Sequence, residues 1–217
     1  MITAPAPLTE ARLLDAVHAL AASDPALGAV VDRFGPPPLW AREPGFPTLV
    51  HLVLEQQVSL ASAQAAFDRL RIAADPLTPS TFLDLDDAEL LAVGFSRQKT
   101  RYARALATAV GDGSLDIEGL AGLDDDGVDG ALTALPGIGP WTATIYRLMV
   151  LLRPDAWPVH DIALAQALAE LRGLAGRPDA TKMLALAEAW RPWRAVAARI
   201  LWHHYLSTPR PRVSRGR

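Results

Sequence analysis

The residues with chemical potential gather around Leu135-Pro136-Gly137-Ile138-Gly139-Pro140 and, about twenty positions on, Trp157-Pro158-Val159-His160-Asp161. The first group joins two apolar-periodic segments through a link short enough to force a tight turn between helices, with two glycines free to take φ > 0. Pro140 suits the first position of the following helix, because its missing N–H would be unpaired there anyway. The neighbouring N–H groups and the positive end of that helix can then hold a phosphate. Asp161 follows as the N-cap or first residue of a third helix, so a carboxylate is delivered next to the hairpin in sequence. Other chemistries are excluded by what is missing. The chain has no cysteine, which removes thiolate nucleophiles, disulfides and cysteine-held metals. Its histidines, His18, His51, His160, His203 and His204, show no metal-ligand spacing, which argues against a transition-metal enzyme.

The elements that must position these residues read as helices throughout. Alanine and leucine dominate, the apolar period is 3.6 rather than 2, and the fold class expected is all-α. Thr9 caps a first helix, and a second covers 26–34 before the rigid Gly35-Pro36-Pro37-Pro38 connector. From Pro47 a helix runs to a turn near Gln56 to Ser59, and another follows. Residues 75–79 form a loop, and Asp86 with Glu89 makes a capping box for a short helix ended by Gly94. Ser96 caps a helix to Val110. The hairpin arms are 126–135 and, from Pro140, a helix with Trp141, Ile145, Leu148, Met149 and Leu152 on one face. Further helices cover 161–172 and 181–189, and Pro192 opens the last, through Tyr205.

The formal net charge of −3 argues weakly against a nucleic-acid partner, but the distribution is uneven. Acid collects at Asp124, Asp125, Asp126 and Asp129. Arg97, Lys99, Arg101 and Arg104 form one basic cluster, Arg191, Arg194 and Arg199 another, and the end of the chain a third. No apolar run is long enough to span a membrane, and the N-terminus lacks a signal-peptide pattern. A cytoplasmic protein is expected, associated with the nucleoid if bacterial.

Several blocks in a fixed order resemble one family: Leu54-Glu-Gln-Gln-Val-Ser59, Gly94-Phe-Ser-x-x-Lys99, Leu135 to Ala143, Pro158 to Leu164, and Trp190-Arg-Pro-Trp-Arg194 with Trp202. The chain is similar, from about Gly45 to Leu206, to the helix-hairpin-helix DNA glycosylases, and within them to the 3-methyladenine DNA glycosylase II group that removes alkylated bases. It resembles a compact form without the N-terminal β-rich domain of longer members. The resemblance implies two helical subdomains flanking a cleft: residues 1–38 packing with 157–207, residues 39–156 carrying the hairpin at 126–152, and a basic tail at 208–217.

The resemblance also implies roles. Asp161 becomes the catalytic carboxylate, stabilising positive charge on the sugar as the N-glycosidic bond breaks and orienting a water; read alone, it is a helix cap, and the two roles coexist. Trp141 stands where bifunctional relatives such as endonuclease III place a Schiff-base lysine, which implies a monofunctional enzyme that leaves an abasic site. Trp141 and Trp202 would line the base pocket, with Ile145 at the position of a family tyrosine; the alternative for each tryptophan is a core position. Gln57, otherwise an ordinary helix-end residue, falls where relatives insert a side chain into the duplex, beside Gln56. Gly137, Gly139 and the N–H groups of Trp141 and Thr142 would grip the backbone, and Arg97, Lys99 and Arg101 could touch phosphates, although such a run is usually a solvated helix face. A Na+ or K+ ion on the carbonyls of Thr133, Leu135 and Ile138 is the only cofactor implied. The expected partner is duplex DNA containing damaged bases, bound by a monomer. Two alternatives stand beside this: a non-catalytic helix-hairpin-helix module that grips DNA, and a glycosylase for deaminated or oxidised bases.

Overall fold

The computed structural model describes residues 5–209, and among these every regular element is a helix. The expected basic tail lies, from residue 210, outside the described residues. Twelve α-helices occur among the described residues, in two compact units.

One unit holds Ala41–Leu152 with residues 5 and 6. It contains α3 (Phe46–Glu55), α4 (Leu60–Ala73), α5 (Pro79–Asp84), α6 (Asp87–Val93), α7 (Arg97–Gly111), α8 (Asp125–Thr133) and α9 (Pro140–Met149). Local chemistry sets most of their ends. Ser59 caps α4 and Ser96 caps α7, each by accepting a first-turn N–H, and the Asp86/Glu89 capping box closes in both directions. Gly94 ends α6 at φ 111°. α3 is apolar enough to be buried along Leu49, Val50, Leu52, Val53 and Leu54, and it packs on α4, α7 and α9. Against α4, the His51 ring stacks on Phe67 with centroids 4.3 Å apart, and Glu55 holds Arg42 through two hydrogen bonds of 2.7 and 3.0 Å. These side chains line a cavity of about 590 Å³. Burial depresses the His51 pKa, with Glu55 pulling in the opposite direction.

The other unit combines Pro7–Trp40 with residues 153–209. It contains α1 (Glu10–Ser23), α2 (Pro25–Phe34), α10 (Ile162–Leu171), α11 (Ala180–Ala187) and α12 (Arg194–Ser207). α12 is buried nearly all round and packs on α1, α2 and α10. Its Arg199 is fully buried and donates to the carbonyls of Leu39 and Ala195 at 2.8 and 3.0 Å. Burial pushes the Arg199 pKa down to about 10. Asp24 caps α2 and also accepts from the Trp190 indole at 2.8 Å and from Arg172. Burial alone would raise the Asp24 pKa, but these donors and the charge of Arg172 outweigh it and hold the carboxyl below its ordinary value.

Three expectations needed correction. The six-residue α5 was not foreseen. The last helix begins at Arg194 rather than Pro192, and the second hairpin helix ends at Met149, leaving Leu152 outside it at φ 54°.

Candidate active site

The hairpin joins α8 to α9 through residues 134–139. Gly137 sits at φ 84°, and a Cβ there would meet the Tyr102 ring at 2.1 Å, so both the backbone and a close neighbour require glycine. Gly139 is different from expectation. Its φ is −95°, which any residue adopts, and a Cβ would have no protein atom within 4 Å. Gly139 is the N-cap of α9 and offers no side-chain cap, so the helix opens on Pro140 with its first-turn N–H dipoles uncapped by a side chain. The carbonyls of Thr133, Leu135 and Ile138 are neutral oxygen donors, the type a hard monovalent cation prefers; that of Leu135 already accepts the Ile138 N–H at 3.2 Å and keeps a second lone pair. Trp141 is half-buried and Ile145 buried in the first turns of α9.

Gln56 and Gln57 share a turn but not a role. Gln57 is exposed and held at φ 59°, a left-handed conformation that costs a non-glycine residue of order 1–3 kcal/mol. Gln56 turns inward. Its Nε2 donates to the Gly137 carbonyl at 2.9 Å and to Thr142 Oγ1 at 3.1 Å, which ties the end of α3 to the hairpin. Lys99, expected on phosphate, is likewise drawn in: Nζ donates to the Leu54 carbonyl at 2.6 Å and so caps the C-terminal end of α3. Burial lowers its pKa. Arg97 stays exposed at the start of α7.

In the other unit Asp161 is the N-cap of α10. Its Oδ1 accepts the Leu164 N–H at 2.9 Å and the Trp202 indole N–H at 3.1 Å, while the side chain remains half-exposed. Trp202 is 8% exposed. Both residues stand out in the sequence, Trp202 only as a pocket wall; a donor 41 positions away leaves no local signal. A carboxylate fixed by a helix N-terminus and an indole can face a developing positive charge without first reorganising. His160 beside it is exposed.

The second basic cluster is consumed internally. Asp155 accepts from Arg191 at 2.6 Å and from Arg194 at 2.8 Å through two nitrogens, and Arg199 is buried. The acidic run is matched in the same way, since Arg147 bonds both Asp125 and Asp129 at 2.8–2.9 Å. Among the described residues no group of three or more His, Asp or Glu side chains is arranged to hold a metal ion, and no helix is long and apolar enough to cross a membrane.

The geometry can be set against known proteins. A Mycobacterium tuberculosis protein named "Probable bifunctional transcriptional activator/DNA repair enzyme AlkA" is 37% identical over 166 residues, which cover 70% of this chain and 32% of that one. The chain thus spans about a third of that relative's length. Among solved structures, a 3-methyladenine DNA glycosylase from Schizosaccharomyces pombe in complex with abasic DNA superposes with a TM-score of 0.82 at 27% identity, covering 87% of this chain and 95% of that one. A DNA-3-methyladenine glycosidase from Bacillus halodurans gives 0.72 at 30% identity, with 88% and 89% covered. The family model runs from residue 50 to residue 194, from the buried helix α3 through the hairpin and Asp161 to the start of α12. By that match over two thirds of its length, the chain belongs to the HhH-GPD superfamily of base excision DNA repair proteins.

Proposed function

We propose that the chain is a DNA glycosylase that hydrolyses the N-glycosidic bond of alkylated bases, of the 3-methyladenine and 7-methylguanine type, in duplex DNA. The observation that carries this reading is Asp161, a half-exposed carboxylate held at a helix N-terminus by hydrogen bonds from the Leu164 N–H and the Trp202 indole. As the bond between base and sugar lengthens, positive charge builds on the ring, and a fixed anion stabilises it. The base departs with the bonding electrons, water adds to the sugar carbon and gives up one proton to solvent, and an abasic site remains. The lesion class is supported by the names of the relatives in S. pombe and B. halodurans.

The remaining roles follow the same reading. Gln57, exposed and strained at a turn, would fill the gap left by the extruded nucleotide. Trp141 would stack on the electron-poor base, with Ile145 behind it. Because an indole cannot form a Schiff base, the enzyme would be monofunctional. The N–H groups of Trp141 and Thr142 would hold a phosphate, and the carbonyls of Thr133, Leu135 and Ile138 a Na+ or K+ ion that adds positive field there.

The experiment is incubation of the purified protein with methylated duplex DNA. Methylated bases should appear in the soluble fraction, the strand should stay unbroken until alkali is added, and borohydride should trap no covalent complex. A trapped adduct would overturn the monofunctional reading. Binding to DNA without any base release would replace the enzyme with a non-catalytic grip.

A further inference from the structure

The first helical turns of α7 carry an exposed array that the roles above leave unused. The Tyr102 ring lies against Gly137, two residues before the N-cap of α9. Its phenolic oxygen accepts from Gln98 Nε2 at 2.7 Å, and the Arg101 guanidinium sits 5.4 Å from the ring centre. Gln98 and Arg101 are exposed. Among the described residues Arg101 has no carboxylate partner, whereas Arg42, Arg104, Arg147, Arg172, Arg191 and Arg194 are all paired.

We propose that Tyr102 and Arg101, oriented by Gln98, form a second phosphate contact of the hairpin, gripping the DNA backbone beside the phosphate held by the first turn of α9. The inference rests on the reading of the chain as a DNA-binding enzyme. With Gln98 donating to its oxygen, the phenol keeps its own hydrogen for an acceptor outside the chain. Arg101 offers further donors and no acceptor, so the array suits an anion. Gln98 and Arg101 also pull the phenol's pKa below its ordinary value, which makes its O–H a stronger donor. Packing on Gly137 fixes the array to the hairpin loop. Phosphates on one strand rise only about 3.4 Å apart along the duplex axis, so a backbone seated on α9 brings a neighbour within reach of an adjacent side chain.

The test is the affinity of the full chain for an undamaged duplex, read by fluorescence anisotropy across a salt series. Tyr102→Phe keeps the ring on Gly137 and loses only the hydroxyl; a charge-assisted hydrogen bond gone should weaken binding roughly tenfold at fixed salt. Arg101→Ala should flatten the dependence of log K on log salt by about 0.9, the share of one phosphate. If the parent and Gly139→Asp differ in affinity while Tyr102→Phe and Arg101→Ala match the parent in affinity and slope, the second contact is wrong and the hairpin grip stands. A parent that binds no duplex overturns both.

Discussion

The hydrogen bonds that Asp161 accepts from the Leu164 N–H and the Trp202 indole both reach Oδ1, so Asp161→Asn can keep its carbonyl oxygen where these two donate. The substitution therefore removes charge while preserving shape and cap. Two charge-assisted bonds become neutral ones, and for a half-exposed side chain the loss of stability should be about 1 kcal/mol, or a few degrees in melting temperature for a chain of this length. Catalysis should suffer far more. A preorganised electrostatic contribution of about 3 kcal/mol corresponds to ~10²-fold in the single-turnover rate of base release. Asp161→Ala is the contrasting variant. It uncaps α10, at about 0.5–2 kcal/mol, and strands the indole N–H of a buried tryptophan, at about 1–3 kcal/mol. Urea unfolding together with single-turnover release from methylated DNA separates the two effects. An asparagine variant within threefold of the parent rate would remove the charge from the mechanism. An alanine variant as stable as the parent would refute the two-donor geometry.

Three further outcomes follow from the structure. Gly137→Ala should destabilise by about 3 kcal/mol or more, from left-handed strain and the clash with Tyr102, whereas Gly139→Ala should stay within about 0.5 kcal/mol; equal urea midpoints would contradict the packing. Lys99→Met should cost about 1 kcal/mol by uncapping α3 while leaving the salt dependence of DNA affinity unchanged, and a slope reduced by about 0.9 would return Lys99 to the phosphate. Burial holds the His51 pKa in the folded chain below the ordinary 6.5 of the unfolded one, so stability should fall as pH drops through that value; His51→Gln should flatten this dependence in denaturant titrations, and an unaltered profile would assign the loss to other groups.

What the sequence disclosed and what it withheld divide along physical lines. Caps at Thr9, Ser96 and Asp161, the box at Asp86 and Glu89, and Pro140 opening α9 were all legible, because a cap is settled within three or four residues. α5 was not, since six residues carry less than two turns of periodicity. Within the candidate site, residue types were readable and their orientations were not. Gln56 bonds to Thr142, 86 positions away, and Lys99 to Leu54, 45 away. Both look like surface polar residues until the partner element arrives. The glycines of the hairpin are equivalent on paper, and only the neighbouring ring and the backbone φ separate Gly137 from Gly139.

The unit built around Asp24 has a consequence for synthesis. Its first helices leave the ribosome early, yet their partners are encoded late: Asp24 waits for Arg172 and Trp190, 148 and 166 residues downstream, and the Leu39 carbonyl waits for Arg199, 160 residues on. At about 5–20 residues per second this is a delay of roughly 7–33 s, during which α1 and α2 expose the apolar faces that α12 later covers. The intervening stretch, Ala41–Leu152, is continuous and can fold meanwhile. Nascent chains should therefore acquire protease resistance from the middle outward, and the opening forty residues should be the part that depends most on chaperones.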